Sequence, residues 1–348
     1  MARRGTSTSR ARARRRVVLI GLGAGLGVGV AVAVGRGRSR PPMLPLEDID
    51  RAAHSPDLDG TEHTIMSMDG GELAVTVAGP DDGPVVVLAH CWTGSRNTWA
   101  PVARRLIAAG CRVVRWDQRG HGLSRSGHKG HTVDALGDDL ATVLLELDLH
   151  DVVLVGHSMG GMTVQSLATH HPELFHERAT AAVLVATAGY TPGPAARGPM
   201  ADIVEAAWVE RLFERPGMGA RLVRATFGKQ AHPDHLEATA ADFKATTPRI
   251  RAEFARSMAA MDLRAGIAGI DVPTTVIVGT RDTLTPLPAS RLLAATIPGA
   301  ELEILPGFGH MLPYEAPDTV VDAVLAYVRS DQATDATDGG RQPSPATA

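Results

Sequence analysis

Six short runs in this chain are apolar almost throughout, and each ends where a loop begins: 84–90 (PVVVLAH), 111–117 (CRVVRWD), 151–156 (DVVLVG), 181–188 (AAVLVATA), 274–280 (TTVIVGT) and 300–306 (AELEILP). A strand with one wet face alternates polar and apolar residues, whereas a strand without alternation is buried on both faces. Helical segments separate most of the runs, as in TVDALGDDLATVLLELDL from Thr132. Buried strands alternating with helices imply a mostly parallel central sheet with helices on both faces, an α/β fold. Ahead of the first run, TIMSMDGGELAVTVAG reads as a hairpin turning at Asp69-Gly70-Gly71.

The rhythm breaks once. About 85 residues separate Ala188 from Thr274, and this stretch is itself helical. In ADIVEAAWVERLFE, helical spacing puts Val204, Trp208 and Leu212 on one face, and RAEFARSMAAMDL continues in the same manner. Connections in such folds usually take about 2–6 residues. An insertion of this size, at about 190–265, is expected to form a helical cap over the carboxyl ends of the strands, where ligand clefts lie.

The third run leads directly into Gly156-His157-Ser158-Met159-Gly160-Gly161 and then a helix. A serine between a buried strand and a helix needs a very sharp turn. Its neighbours two residues away then press together, so Gly156 and Gly160 supply the missing side chains. The turn should project Ser158 Oγ from the sheet at a helix N-terminus, where free N–H groups stabilise negative charge.

With these residues the sequence resembles the α/β-hydrolase superfamily, specifically cap-bearing serine hydrolases of the esterase, lipase and cofactor-free haloperoxidase kind. The resemblance spans about residues 62–329 and rests on several separate motifs. GHSMGG matches the nucleophile elbow, which makes Ser158 the nucleophile, framed by Gly156, His157 and Gly160. WDQRGHGLS matches the loop after the fourth strand, in which Asp117, Arg119, Gly120 and Gly122 hold the loop together. Asp282 in VGTRDTLTP stands at the acid position, and His310 in PGFGHMLPYEAP at the base position. The order Ser158, Asp282, His310 is the order in which this fold supplies a triad. A serine hydroxyl is a poor nucleophile at pH 7, so His310 would take its proton and return it to the leaving group, while Asp282 would hold the imidazole tautomer. The resemblance also implies an oxyanion site made by the backbone N–H groups of Met159 and Trp92. One departure stands out: the family usually has His-Gly where this chain has His90-Cys91, so a side chain enters a place where backbone passes close to substrate.

Other chemistries fit less well. His170, His171 and His176, or His232 and His235, are possible metal ligands, but their spacing matches no known geometry and no cysteine joins them. No metal and no cofactor are therefore expected. Cys91 and Cys111 would lie at opposite ends of adjacent parallel strands, about 20 Å apart at about 3.3 Å per residue, too far for a disulfide.

Charge is unevenly placed. Residues 1–40 hold ten arginines and no acidic residue, leaving 25 basic against 38 acidic residues in the remainder. An acidic body argues against nucleic-acid binding. Seven arginines in residues 1–16 precede an uncharged stretch, Val17 to Val34, which as a helix would span about 27 Å. That is close to a hydrocarbon core of about 30 Å. Residues 17–34 are therefore expected to be a transmembrane anchor with the catalytic body outside the cytoplasm, or alternatively a signal cleaved near Ala31 to Ala33 before secretion. Residues 35–62 read as a linker and 330–348 as a disordered tail.

The sequence-level expectation is a tethered or exported serine hydrolase acting on a small, apolar carboxylic ester. An acyltransferase, thioesterase, carbon–carbon bond hydrolase or perhydrolase would use the same triad. A non-catalytic protein that holds a small ligand in the same pocket is an alternative of a different class.

Overall fold

The computed structural model describes residues 58–190, 199–229 and 231–338, with side chains in the last helix as far as Arg329. The expected anchor at 17–34 and most of the expected linker lie outside the described residues. Among the described residues no helix is long and apolar enough to cross a membrane.

Eight strands form one sheet: β1 (Thr61–Met66), β2 (Glu72–Ala78), β3 (Val85–Ala89), β4 (Arg112–Trp116), β5 (Val152–His157), β6 (Ala179–Val185), β7 (Thr274–Gly279) and β8 (Glu301–Leu305). Their order is β1-β2-β4-β3-β5-β6-β7-β8. The β1–β2 hairpin is antiparallel and turns through Gly70 at φ 81°; β2 pairs antiparallel with β4, and β3 to β8 run parallel. β1 begins at Thr61, so the last two residues of the expected linker belong to the sheet. Each of the six apolar runs contains a strand, and β5 and β7 are buried along their whole length.

Period-two alternation divides these strands between two cores. Val87, Val152 and Leu154 point to one side, against α2 (Val133–Glu146), α3 (Met159–His170) and α11 (Leu287–Thr296). Val86, Val153 and Val155 point to the other, against α1 (Ala100–Ala108) and α13 (Pro317–Asp338), which follows the short α12 (Leu312–Glu315). α2 starts where Thr132 accepts a hydrogen bond from the Ala135 N–H, a side-chain cap. α13 continues to Asp338, through the first part of the expected tail. The segment to Asp338 contains neither glycine nor proline, and Gly339-Gly340 follows it.

Between β6 and β7 lies the helical insertion: α5 (Met200–Glu205), α6 (Ala207–Phe213), α7 (Met218–Val223), α8 (Pro233–Ala245), α9 (Pro248–Ala260) and α10 (Arg264–Ile267), the short α4 (Pro172–Arg178) having come before β6. An antiparallel bridge between Tyr190 and Asp262 ties together the two ends of its larger part, α5 to α9. The expected single helix over 201–214 is two, because Ala206 is extended at φ −68° and ψ 131°. No glycine or proline breaks it; packing does. Ala201 and Val204 of α5 pack on Ala252 and Ala255 of α9, whereas Val209 and Phe213 of α6 pack on Val223 of α7 and Ala240 of α8.

The sheet has its topological switch at β3. The chain leaves β3 to form β4 on one side and later returns to form β5 on the other. A cleft opens outside the carboxyl ends of strands at such a point.

Candidate active site

The turn after β5 carries the strain that its sequence implied. Ser158 has φ 54° and ψ −114°, a conformation unusual for a residue with a Cβ. A Cβ on Gly156 would stand 2.4 Å from the Gly160 carbonyl oxygen, and one on Gly160 only 2.0 Å from that of Ala89. The Ser158 N–H donates to the Val185 carbonyl (2.9 Å), and its own carbonyl accepts from Thr187 Oγ1 (2.7 Å) and the Met162 N–H (3.1 Å). The serine is thus clamped from β6 while α3 starts at Met159.

His310 follows β8, and its Nδ1–H donates to Asp282 Oδ2 at 2.8 Å, with both side chains buried. Asp282 follows β7. Its Oδ1 accepts from the backbone N–H groups of Leu284 (2.8 Å) and Thr285 (2.9 Å), while Thr285 Oγ1 lies 2.8 Å from Oδ2 and 2.7 Å from the Ala186 carbonyl. A carboxylate held by several donors cannot swing away from the imidazole. The His310 backbone is fixed as well, its N–H donating to the Thr226 carbonyl (2.7 Å) and its carbonyl accepting from His157 Nε2–H (2.8 Å). His157, read from sequence only as part of the elbow, is therefore a strut between the serine turn and the histidine loop.

The loop after β3 is braced by two further histidines, His90 and His121, whose bracing role the sequence did not reveal. His90 Nδ1–H donates to the Cys91 carbonyl (2.7 Å), and His90 Nε2 accepts from the Gln118 N–H (2.9 Å). His121 Nδ1–H donates to the Arg119 carbonyl (3.1 Å), and its Nε2 accepts from the N–H of Thr93, which has φ 56°. Each ring uses one nitrogen as donor and the other as acceptor, a pattern open only to neutral imidazole. Burial lowers the His90 pKa to about 4. Burial lowers that of His121 to about 3, with help from the charge of His90. Burial also holds His157 well below the usual range, and the proximity of His310 adds to this. These rings lock the loop 90–94 onto the loop 117–121. In the latter loop, Asp117 Oδ1 accepts from the Arg96 N–H (2.7 Å) and Oδ2 from the Leu123 N–H (3.0 Å). Arg119 is buried between Asp69 and Asp139, with contacts of 2.6–3.1 Å to both carboxylates. Gly120 and Gly122 both have positive φ, 73° and 52°, and a Cβ on Gly122 would collide with the Asp117 carboxyl.

Ser158, His310, Cys91 and Trp92 share one cavity, and Asp282 stands behind His310. The cavity encloses about 940 Å³ counting its open mouth, and the insertion supplies an apolar wall that includes Ile203, Val204, Trp208, Leu212, Phe213 and Phe243. Val204, Trp208 and Leu212 thus line one surface even though the helix carrying them is broken. Trp208 is half exposed. Cys91 is free, as is Cys111. The Cys91 side chain packs with Phe227, Met311 and Tyr314, and burial pushes its thiol up to about 12, so it stays protonated. Of the histidines considered as metal ligands, His171 contacts Asp138 and His176 contacts Asp271, each at 2.7 Å, while His232 and His235 pack edge to face. No group of three or more histidine, cysteine or acidic side chains suited to a metal occurs among the described residues.

Residues 81–317 match the model of the family described as serine aminopeptidase, S33. The chain belongs to this family of α/β-hydrolases. Its relatives within the wider fold have several activities. A putative carbamate hydrolase, RutD, of Caulobacter sp. (strain K31) is 30% identical over 265 residues, covering 72% of this chain and 93% of that protein. The bifunctional esterase/perhydrolase DCH of Acinetobacter calcoaceticus is 26% identical, covering 76% of this chain and 99% of its own. Among solved structures, the enol-lactonase of Burkholderia xenovorans LB400 superposes with a TM-score of 0.67 at 26% identity, covering 77% of this chain and all of its own. This α/β-hydrolase is accordingly an enzyme of the hydrolase type.

Proposed function

We propose that this α/β-hydrolase cleaves carboxylic esters through an acyl-enzyme on Ser158. The observation that carries the reading is the strained Ser158 sharing a cavity with a His310 whose Nδ1 is held by a braced Asp282. Ser158 Oγ attacks the ester carbonyl as its proton passes to His310 Nε2, and the N–H groups of Met159 and Trp92 receive the developing oxyanion. The C–O bond to the alcohol then breaks, and the imidazolium returns its proton to the departing oxygen. Water repeats the sequence on the acyl-enzyme and releases the acid. Asp282 keeps the proton on Nδ1 throughout, so Nε2 faces the serine as a base. The helical insertion acts as the cap, and its apolar wall supports an apolar acyl or aryl group in the substrate. The ten arginines and uncharged stretch of residues 1–34 support delivery to a membrane, as an anchor or an export signal, with the catalytic body outside the cytoplasm.

Labelling of the protein with a fluorophosphonate, beside Ser158→Ala and a panel of acyl esters, tests the reading. Labelling of wild type alone, with turnover of the panel, is the expected result. Absence of both in folded protein overturns it in favour of ligand binding without turnover. Perhydrolysis is a second reading, favoured by the esterase/perhydrolase among the relatives. Hydrogen peroxide would replace water in the second step, and peracid formation from an ester and peroxide distinguishes it.

A further inference from the structure

One ionisable group in the cavity has no part in the chemistry above. Asp242 lies on α8 and lines the cavity opened by the insertion, in company with Cys91, Thr98, Thr239, Phe243 and Ser158. Ser95 Oγ–H donates to its Oδ2 at 3.2 Å, across from the loop after β3. Its charged neighbour is another anion, Asp117. Cys91 and Tyr314 face it as a buried thiol and a buried phenol, each made harder to ionise by its presence. Arg251 stacks on the adjacent Phe243 but is paired with Glu210. Burial pushes the Asp242 carboxyl up to about 7; the Ser95 hydroxyl opposes the shift and the Asp117 charge adds to it.

A carboxyl in this position is a neutral acid below about pH 7. Its Oδ2 already accepts from Ser95, and its own O–H proton is available to an acceptor in the cavity. Most of the insertion's wall around it is apolar, Ile203, Val204, Trp208, Leu212 and Phe213 among it. A polar group in an apolar pocket fixes which ligands can leave no donor unpaired.

Resting on the esterase reading, we propose that Asp242, which lines the cavity with Ser158 and is held by Ser95, is a specificity-determining residue. It donates a hydrogen bond to a second oxygen acceptor on the substrate, a keto, ether or hydroxyl oxygen in the acyl or alkoxy portion, and once ionised it refuses esters that carry a carboxylate there. The preference is present below the pKa of Asp242 and is lost as pH rises through it. Above that pH the group becomes a carboxylate that can only accept, still held by the Ser95 hydroxyl, and it repels anions.

The test compares kcat/KM between matched esters: unbranched 4-nitrophenyl acyl esters and acetates of unbranched alcohols, each plain, bearing an inner keto oxygen, or ending in a carboxylate. Ratios between substrates cancel the titration of the catalytic base. Wild type should prefer a keto ester in one of the series at least fivefold at pH 6, with the preference fading around pH 7 and the carboxylate ester refused most strongly at pH 8. Asp242→Asn, which still donates but cannot ionise, should keep the keto preference at every pH and lose its pH dependence. Asp242→Leu should lose the preference altogether. A wild-type preference below fivefold in both series, a pH-independent one, or one that survives in Asp242→Leu overturns the proposal. Fluorophosphonate labelling of Ser158 and turnover of the plain ester report separately on the esterase reading. Thermal unfolding of each variant separates lost selectivity from a lost fold.

Discussion

Acid should unfold this protein from within the active-site loops, and the size of the effect follows from three neutral histidines. His90 and His121 each offer one ring nitrogen as acceptor to a backbone N–H, of Gln118 and Thr93 respectively. The buried His157 has its Nδ1 without a hydrogen-bond partner. A second proton on any of these rings would either confront an N–H or stand buried with no acceptor. For a group whose folded pKa is depressed, the stabilisation is fully present above the unfolded pKa of 6.5 and is lost as pH falls toward the folded value. With folded values of about 4 and about 3, His90 and His121 each give up about 2 kcal/mol between pH 8 and pH 5. His157 shifts in the same direction. Domains are stable by about 5–15 kcal/mol, so a loss of about 4 kcal/mol or more is a large fraction of the whole. Urea unfolding, followed by the fluorescence of the fully buried Trp99 and Trp116, measures it. The deciding comparison is His121→Asn, which cannot titrate. Its destabilisation relative to wild type should shrink by about 2 kcal/mol from pH 8 to pH 5. A difference between the two proteins that stays constant with pH would refute the reasoning, because the ring would then carry no linked proton.

Other perturbations act on the site directly. His310→Ala should lower kcat/KM for esters by about 10³-fold or more, read by initial rates; unchanged turnover would remove His310 from the base role. Thr285→Val deletes the hydroxyl beside Asp282 Oδ2 and should lower kcat by about tenfold with KM little altered, as expected for a group that positions the acid. Gly160→Ala forces a Cβ to within 2.0 Å of the Ala89 carbonyl oxygen and should destabilise the protein by about 3 kcal/mol or more, seen as a lowered urea midpoint.

The parts of the fold legible in the sequence are those set by local rules. Val152 to Val155 read as a doubly buried strand because burial on both faces removes alternation, and Gly156 and Gly160 marked the tight turn because no side chain fits there. The parts that escaped depend on contacts between distant segments. The break at Ala206 carries no sequence mark, since α5 and α6 are drawn to different partners, α9 on one side and α7 and α8 on the other. The bracing role of His121 rests on Thr93, 28 positions away, and Ser95 meets Asp242 across 147 positions. Nothing in the local patterns around Asp242 distinguishes it from a solvated helical aspartate. Only the fold turns it toward the cavity.

The bridge between Tyr190 and Asp262 has a consequence for how such a chain can change over time. The helices between these two residues leave the body and come back to it at nearly the same point, before α10 carries the chain on to the start of β7. Asp282 and His310, on the loops after β7 and β8, lie outside this pinned segment, and the insertion reaches back to one of them where the Thr226 carbonyl accepts from the His310 N–H. A foreign helical segment joined at those two residues would place a different roof over the same Ser158, provided that it offers the His310 N–H an acceptor in place of the Thr226 carbonyl.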